Sequence, residues 1–553
     1  MSASSKKKLR NAQEAEKLTE KQLTEQKEAK NLKTYSTIFV VVVALMVVFA
    51  VYTAVSNTIS HSGIFERNTT ALTVGEHKVS NAELNYYFID AVNNFYSNYG
   101  AYASLFGLDV TKPLDEQVIS EETGTWADDF LNSAIENVKA VYALNDAAKA
   151  AGFTLTEDEQ SSISMTMTNM SAYATLYGYS NVDDYIKAMY GNGANAESLR
   201  EYITMNTIAS SYQNFYAENL TYEDADLRAA EAENYNLYSS YSYNTYYLAT
   251  SKFLKGGIEA EDGSVTYSDA EKEIARQSAE MTAKALTENT TAADLDAAIA
   301  ALEINAETSS AASTAYVDAS YSNISSTLLE WITDDSRQAG DITYIASTTH
   351  THADGETHSD DEDTSAYDTV NGYYVVLFNG CNDNNYALAN VRHILIGFEG
   401  GTTDETTGVT TYSEAEKLTA KNAAEVILEA FLEGEKTEEA FAELATKNTD
   451  DTGSQTTGGL YENVYPGQMV TNFNDWCFDS ARKAGDTGIV ETEYGYHVMY
   501  FVGNSGTTYR DYMIESTLRN ADLTAWETAL IEGAELAIVN TKYVKTGLTL
   551  SSN

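Results

Sequence analysis

Two runs of sequence predict the central strands of one domain: Asn390-Val391-Arg392-His393-Ile394-Leu395-Ile396 and Tyr494-Gly495-Tyr496-His497-Val498-Met499-Tyr500-Phe501. Each run is rich in β-branched and aromatic residues and carries one histidine, which predicts two neighbouring strands of one sheet. Between them the pattern predicts helices over residues 413–433, 437–446 and about 473–481, with short strands after Gly459 and before residue 494. We expect a small α+β domain with a mixed sheet.

This domain has a second copy within the chain. The heptapeptide Thr266-Tyr267-Ser268-Asp269-Ala270-Glu271-Lys272 recurs 145 residues later as Thr411-Tyr412-Ser413-Glu414-Ala415-Glu416-Lys417, and Trp331 and Arg337 recur at the same offset as Trp476 and Arg482. Matches of such rare residues in one register predict a repeated domain. We call residues 240–380 the first copy and residues 387–504 the second copy.

The first copy carries an insertion between Ala346 and Tyr367. Three of the seven histidines of the chain, His350, His352 and His358, lie there among acidic residues. Weak binding of Zn²⁺ or another divalent ion is one interpretation. Because nothing preorganises these side chains, we predict a solvated loop and no metal site.

Residues 70–235 have a different, helical pattern. A short strand pair, 71–74 and 77–79, leads into Ser80, whose spacing to Glu83 is that of a capping box, so a helix should begin there. Further helices are predicted over 125–151, 156–175, 181–190 and 196–232. The region is rich in Tyr and Met, whose side chains form either an ordinary core or an adaptable apolar surface. We predict a helical domain.

The C-terminal segment 507–553 has no further partner downstream. Its pattern predicts a helix over 509–539 and a strand over 541–548. We expect this segment to pack back on the helical domain 70–235, with its strand pairing near Leu72.

An apolar run near the N-terminus predicts a membrane anchor. Residues 38–55 run for eighteen residues without a charge, about enough to span the ~30 Å hydrocarbon layer. A cleaved signal peptide is the alternative, but the polar leader exceeds thirty residues and no Ala-x-Ala site follows the apolar run. We predict a single-pass anchor at 37–56, preceded by a basic cytoplasmic tail, 1–36. The positive-inside rule then places the bulk of the chain outside the cell membrane.

Composition excludes several classes of protein. The chain has 553 residues, enough for about three domains, and a formal charge of −48. Residues 1–36 hold nine Lys/Arg against five Glu, which leaves −52 for the rest. Such a polyanion repels nucleic acid. The two cysteines, Cys381 and Cys477, are too few for a disulfide scaffold or a Cys-rich zinc site, and one bridge between them is left open.

Several separated motifs of the second copy resemble the signature of parvulin-type peptidyl-prolyl cis/trans isomerases. They are Val391–Leu395, Gly458–Leu460, Gly467–Met469, Phe473, Phe478 and Tyr494–His497. The layout of a helical N-terminal segment, parvulin units and a returning C-terminal helix resembles the extracytoplasmic foldases of the SurA and PrsA type. This resemblance implies a multidomain α+β protein in which a SurA-like helical chaperone domain is completed by the C-terminal helix.

The resemblance also assigns the residues of the site. It implies catalytic roles for His393, Asp451, His497 and Thr492, and a proline pocket formed by Leu460, Met469 and Phe473, with Phe478 behind it. Rotation about an X-Pro bond has a barrier of roughly 18–20 kcal/mol because amide resonance is lost. An apolar pocket that strips water from the carbonyl favours the twisted state without a covalent step or a cofactor. The histidine pair would then supply a polar frame.

The implied partners are newly translocated, unfolded secreted proteins that contain X-Pro bonds. The loop 397–405 holds no Lys or Arg, so we expect no preference for phosphorylated Ser/Thr-Pro. A non-enzymatic holdase chaperone with vestigial parvulin domains is the alternative function.

The first copy departs from the motif. We expect Tyr246 or Leu248 in place of His393 and Tyr374 in place of His497. Ile324 should take the place of Met469, and Leu328 that of Phe473. The first copy should keep the fold without the catalysis, as a spacer or a client-binding surface.

Overall fold

The computed structural model describes residues 62–550 apart from 121, 261–262, 306–310, 351–367 and 405–406, together with 4–8, 10 and 46–47. The predicted anchor 37–56 lies outside the described residues except for 46–47, and so does most of the His-rich insertion. Within the described ranges, no helix is both long and apolar enough to cross a membrane. The protein is a mixed α+β chain of two units, Met1–Leu220 with Asn520–Asn553 (unit 1) and Thr221–Arg519 (unit 2).

Helices and strands are numbered in chain order over the described residues. The α-helices α1 to α14 are Ile64–Asn68, Asn81–Tyr99, Trp126–Ala150, Glu157–Leu176, Val182–Tyr190, Ala196–Glu218, Asp224–Glu233, Asp269–Leu286, Ala292–Ala300, Ser326–Ile332, Glu414–Glu433, Glu438–Asn448, Thr471–Cys477 and Tyr509–Gly533. The strands β1 to β17 are Thr70–Val74, His77–Ser80, Val118–Ser120, Gly124–Thr125, Ser240–Ala249, Ile258–Glu259, Val265–Thr266, Thr314–Ser320, Ile342–His350, Asp368–Asn382, Ala387–Gly397, Thr402–Thr403, Thr410–Thr411, Leu460–Val464, Thr487–Glu491, Gly495–Thr508 and Leu536–Ile538.

The helices of unit 1 begin where local capping signals place them. The Ser80 side chain accepts a hydrogen bond from the Glu83 backbone N–H at 3.1 Å, which starts α2. Thr156 and Glu159 form a full capping box at the start of α4. The single helix predicted over 196–232 is wrong. It is divided into α6 and α7, because the Asp226 side chain accepts the Glu223 backbone N–H at 3.0 Å and a new helix begins there.

The C-terminal segment completes the small sheet of unit 1 in a different way from the prediction. Strand β1 pairs with β2 on one side and with β17 on the other, with Leu72 opposite Ile538. The strand predicted over 541–548 is therefore wrong, since β17 lies earlier. Directly after β17, the N–H groups of Val539 and Asn540 donate to the Ala71 carbonyl. Side chains bind the backbone further on: buried Asn81 donates to the Asn540 carbonyl at 2.8 Å, and Asn85 accepts from the Lys545 N–H at 2.8 Å.

Unit 2 contains two four-stranded sheets with the same strand order. In the first copy the order is β8-β5-β10-β9, and in the second copy it is β14-β11-β16-β15. Every pairing in both sheets is antiparallel, so the expectation of a mixed sheet is wrong. Arg337 stacks on Trp331 in the first copy and Arg482 on Trp476 in the second. The repeat seen in the sequence is thus a repeat of structure.

Strand register decides which first-copy residues take the place of the histidines. In the second copy His393 lies opposite Met499 and Leu395 opposite His497. The matching first-copy pairs are Thr245 with Val376 and Tyr247 with Tyr374. Tyr374 therefore replaces His497, as predicted, and Thr245 replaces His393.

The prediction of Tyr246 or Leu248 at the His393 position is wrong. Leu248 is buried in the apolar cluster around Ala279 and Ala283 of α8, and Tyr246 packs against the same cluster. A shift of one residue along a strand moves a side chain to the other face of the sheet. Ile324 and Leu328 are buried together on the face that Thr245 shares with Tyr243, at the places predicted for Met469 and Phe473.

The second copy has a core on each face of its sheet. One face packs on α11 and α12 through a cluster that includes Ile394, Phe431, Phe441 and Val498. The other packs on α13 through Val391, Phe473, Cys477, Met499 and Phe501. Helix α13 ends at Cys477, before the predicted residue 481, and the Arg482 side chain donates to the Trp476 carbonyl at 3.0 Å. Cys477 is buried and Cys381 exposed, and both are free thiols, so no bridge joins them.

Candidate functional site

Two buried histidines meet on the α13 side of the second-copy sheet. His393 lies on β11 and is 2% exposed, and His497 lies on β16 and is 5% exposed. Because His393 is paired with Met499, His497 is its diagonal neighbour two residues away, a position from which long side chains touch. Their Nδ1 atoms are 3.0 Å apart, and their rings are stacked with centroids 5.1 Å apart.

Asp451 binds the outer nitrogen of His393. The distance from His393 Nε2 to Asp451 Oδ2 is 2.9 Å. Asp451 belongs to the loop between α12 and β14, and hydrogen bonds hold this loop against β11. Leu395 N–H donates to Thr449 Oγ1 at 3.0 Å, and Gly397 N–H donates to Asp450 Oδ2 at 2.8 Å. The loop is anchored just before Asp451, which places this carboxylate at the histidine.

Thr492 ends the chain of polar groups on the other side. Its hydroxyl oxygen lies 2.9 Å from His497 Nε2 and accepts the Tyr494 backbone N–H at 3.2 Å. Thr492 follows β15, and its side chain is buried. The four polar residues predicted for the site therefore form one continuous hydrogen-bonded series, Asp451–His393–His497–Thr492.

Burial sets the protonation of this series. It lowers the pKa of His393 in spite of the bond to Asp451, and it lowers the pKa of His497 to about 3, with help from the repulsion of His393. For Asp451, burial alone would raise the pKa, but hydrogen bonds from Ser454, Tyr461 and His393 outweigh it and hold the pKa at about 2. At neutral pH the site contains two neutral imidazoles and one carboxylate.

An apolar wall faces the two imidazoles. Phe473 of α13 is buried and meets both rings edge-on, with centroids 5.5 Å from His393 and 5.3 Å from His497. Met469 and Phe478 are partly buried and pack against the cluster that contains Phe473. Leu460 is half-buried on β14, opposite Arg392, and is not a member of that cluster. The structure thus brings together Phe473, Met469 and Phe478, with Leu460 on the edge strand of the same sheet.

Sequence reasoning missed two polar residues of the site. Tyr461 donates to Asp451 Oδ2 at 2.9 Å and its ring stacks on His393, with centroids 5.0 Å apart. The buried Ser454 hydroxyl also donates to Asp451 Oδ2. Signals for both were present: Ser454 is three residues after an Asp in a loop, a common spacing for local side-chain hydrogen bonds, and Tyr461 directly follows the Gly-Gly-Leu motif.

Among the residues that the structure describes, no group of three or more His, Cys, Asp or Glu side chains is placed to hold a metal ion. The polar atoms of the site are bonded to one another instead. The arrangement can orient a polar substrate group beside an apolar wall.

Comparison with known proteins identifies the kind of domain. The model of the PPIC-type PPIase domain family matches residues 373–503, from β10 of the first copy through the second copy. This chain therefore carries a parvulin-type peptidyl-prolyl isomerase domain.

Individual relatives are similar over smaller parts. The foldase protein PrsA 1 of Listeria innocua is 37% identical over 67 residues, which are 12% of this chain and 23% of the relative. The PrsA 1 protein of Listeria monocytogenes is 36% identical over the same length. The match therefore spans about a quarter of the length of these relatives. Among solved structures, PrsA from Bacillus subtilis is 13% identical and aligns over 78% of this chain and 98% of its own, with a TM-score of 0.26.

Proposed function

We propose that this chain, through the PPIC-type domain that it carries, catalyses cis/trans isomerisation of X-Pro peptide bonds in unfolded polypeptides. The observation that carries the proposal is the pair of buried, neutral imidazoles with Phe473 edge-on to both. Such a site offers an apolar wall for a proline ring and a rigid polar frame beside it. It needs no group that forms a covalent bond.

The hydroxyl and thiol groups of the site are not activated as nucleophiles, which supports a non-covalent reaction. Ser454 is 1% exposed and gives its proton to Asp451. Thr492 is buried against His497. Cys477 is buried, and burial raises the pKa of its thiol to about 12, so it is protonated at neutral pH. None of the three presents an activated oxygen or sulfur to a substrate.

Rotation is accelerated by surroundings that favour the twisted amide. The planar amide is stabilised by resonance that places negative charge on its oxygen, and water stabilises that charge. Met469 and Phe473 hold the proline ring in a dry pocket, so the planar state loses more stabilisation than the twisted state. His393, His497, Asp451 and Thr492 keep the pocket wall in one geometry, and Leu460 and Phe478 close its edges.

The whole chain acts as a foldase for secreted proteins. The charge-free run 38–55 behind a basic tail supports a single-pass membrane anchor with the bulk of the chain outside the cell. The helical part of unit 1, residues 70–220 together with 520–553, forms the chaperone-like domain. The first copy, 240–380, has Thr245 and Tyr374 at the histidine positions and serves as a non-catalytic unit. Clients are newly translocated polypeptides with X-Pro bonds.

A specific surface favours holdase activity as a second function. In unit 1 the end of α2 and the 3₁₀ segment that follows expose Tyr99, Tyr102, Leu105 and Phe106, each between 48% and 80% exposed. Phe106 packs edge-on against Tyr99 and Phe95. A contiguous exposed apolar patch of this kind is typical of a site that binds other proteins.

A pair of matched phenylalanine substitutions tests both functions in the full chain. Phe473→Ala should lower kcat/KM for a proline-containing peptide by at least tenfold and leave suppression of client aggregation unchanged. Phe106→Ala should weaken suppression of client aggregation and leave kcat/KM for the peptide unchanged. Thermal unfolding of each variant checks that the fold is intact. A wild-type chain that does not exceed the buffer rate of isomerisation would refute the enzymatic function, whereas equal aggregation with and without wild type would refute the holdase function.

A further inference from the structure

The Asp451 carboxylate lies within hydrogen-bonding distance of three donors in addition to His393. Its Oδ2 atom lies 2.9 Å from His393 Nε2 and 2.9 Å from the Tyr461 hydroxyl, and it also accepts from Ser454 Oγ. Its Oδ1 atom accepts the Gly453 N–H at 3.1 Å. With four donors around it, this carboxylate is held in place.

The Asp451–His393–His497–Thr492 series can carry its protons in two orders. In one order every group donates toward Asp451: Thr492 O–H to His497 Nε2, His497 Nδ1–H to His393 Nδ1, and His393 Nε2–H to Asp451 Oδ2. In the other, both imidazoles are the opposite tautomer. Thr492 then accepts a hydrogen bond from His497 Nε2–H and donates its own hydroxyl hydrogen to the Gly495 carbonyl, 3.4 Å away.

We propose that Ser454 and Tyr461 are positioning residues that select the first order, by holding Asp451 as an ionised acceptor for His393. This inference deepens the proposed isomerase function and rests on it. Tyr461 acts twice, because its hydroxyl donates to Asp451 while its ring lies nearly parallel to the His393 ring, at 18°.

The hydroxyl groups of Ser454 and Tyr461 both carry a hydrogen that they donate to Asp451. Burial is the main cause, and the nearby Asp451 carboxylate the second, of a pKa of Tyr461 raised to about 12, so the phenol keeps its proton at neutral pH. Ser454 has a single proton, which it gives to Asp451, and its oxygen lies 3.2 Å from His393 Nε2. His393 Nε2 therefore faces only acceptors and must carry a hydrogen. Since a neutral imidazole has one N–H, His393 Nδ1 then accepts from His497.

Selection of one order matters for the pocket wall. Each imidazole has its ring plane and tautomer determined by its partners on both sides. Phe473 packs edge-on against both rings. A site with mixed tautomers would lose linear hydrogen bonds and allow the rings to tilt, which loosens the wall against which Phe473 is placed.

The test reads the tautomers directly by ¹⁵N NMR of the full chain labelled at histidine, with signals assigned by single-histidine substitutions. In wild type, His393 should be the Nε2–H tautomer and His497 the Nδ1–H tautomer from pH 6 to 8. In the double variant Ser454→Ala/Tyr461→Phe the opposite tautomers should become measurable, and kcat/KM should fall about tenfold, since a hydrogen bond to a charged group is worth about that factor or more. Ser454→Thr, which keeps a hydroxyl, should retain the wild-type signals.

Tyr465→Phe is the matched control, because Tyr465 stacks on Tyr509 outside the polar series; it should change neither readout. Tautomers that are unchanged in the double variant would overturn the inference, as would the opposite order in wild type. A wild type with the expected tautomers but no isomerase activity would instead refute the proposed function and leave the positioning role supported.

Discussion

Lowering the pH from 7 to 5 should destabilise the second copy, because its two site histidines are buried in the neutral form. Burial lowers the pKa of His393, and that of His497 to about 3, below the value of 6.5 for a free side chain. The unfolded chain therefore binds protons below pH 6.5 that the folded chain does not bind. Stability is full above pH 6.5 and is lost as the pH falls toward 3.

The size of the effect follows from His497 alone. Each pH unit within this window costs about 1.4 kcal/mol per histidine, so between pH 7 and 5 His497 should remove about 2 kcal/mol from the free energy of unfolding. His393 acts in the same direction and adds to the loss. Asp451, whose pKa is held at about 2, adds a further loss only below pH 4 or so.

Hydrogen exchange in the full chain measures this loss where it occurs. Peptides that cover β15 and β16, residues 487–508, should exchange faster at pH 5 than at pH 7 after correction for the intrinsic rates. His497→Gln should reduce the difference in the free energy of opening between pH 7 and pH 5 by about 2 kcal/mol. His77→Gln, a change on the surface of unit 1, should leave it intact. Equal protection of 487–508 at the two pH values, or the same pH dependence in His497→Gln as in wild type, would refute the reasoning.

Three further outcomes follow from the structure. Because both imidazoles are neutral and the carboxylate is ionised near neutrality, kcat/KM for a proline peptide should be flat between pH 6 and 8, and a bell-shaped profile would contradict this. Arg510 is 3% exposed, pairs with Glu231 and donates to the carbonyls of Tyr235, Tyr238 and Asp383. Arg510→Met should therefore destabilise unit 2 by about 3–5 kcal/mol in urea unfolding. Lys447→Met, which removes an exposed pair with Glu443, should cost less than about 1 kcal/mol. Gly459→Ala should abolish isomerase activity and lower the thermal unfolding temperature more than Gly467→Ala does. Both glycines have positive φ, but only at Gly459 does an added Cβ meet the His393 carbonyl oxygen, at 2.1 Å. Equal decreases in unfolding temperature for the two variants would show that the clash is relieved.

Local signals predicted much of the secondary structure. The spacing of Ser80 and Glu83 and that of Thr156 and Glu159 placed the starts of two helices, because a helix begins where its free N–H groups find an acceptor nearby in the chain. The helix predicted over 196–232 is two helices, because the Asp226 carboxylate accepts the Glu223 N–H and starts a second helix. Such errors arise within a few residues and could be corrected from the sequence.

Register was harder to predict because it depends on the partner strand. The repeat offset of 145 holds for Trp331 and Trp476, but along β5 and β11 the paired positions differ by 148, as Thr245 and His393 show. Loops of different length absorb the difference. A displacement of one residue moves every side chain to the other face, so the prediction of Tyr246 or Leu248 placed core residues at the site.

Alternation and repetition along the chain were enough to predict two histidines on neighbouring strands of a repeated α+β domain, because both are local properties. The residues that complete the site come from segments that are distant in sequence. Asp451 reaches His393 because Thr449 and Asp450 bind the backbone of β11, and Tyr461 reaches Asp451 because β14 pairs with that same strand. These contacts join residues 10 to 58 positions apart, and hydrogen bonds between distant segments depend on the packing of the whole domain.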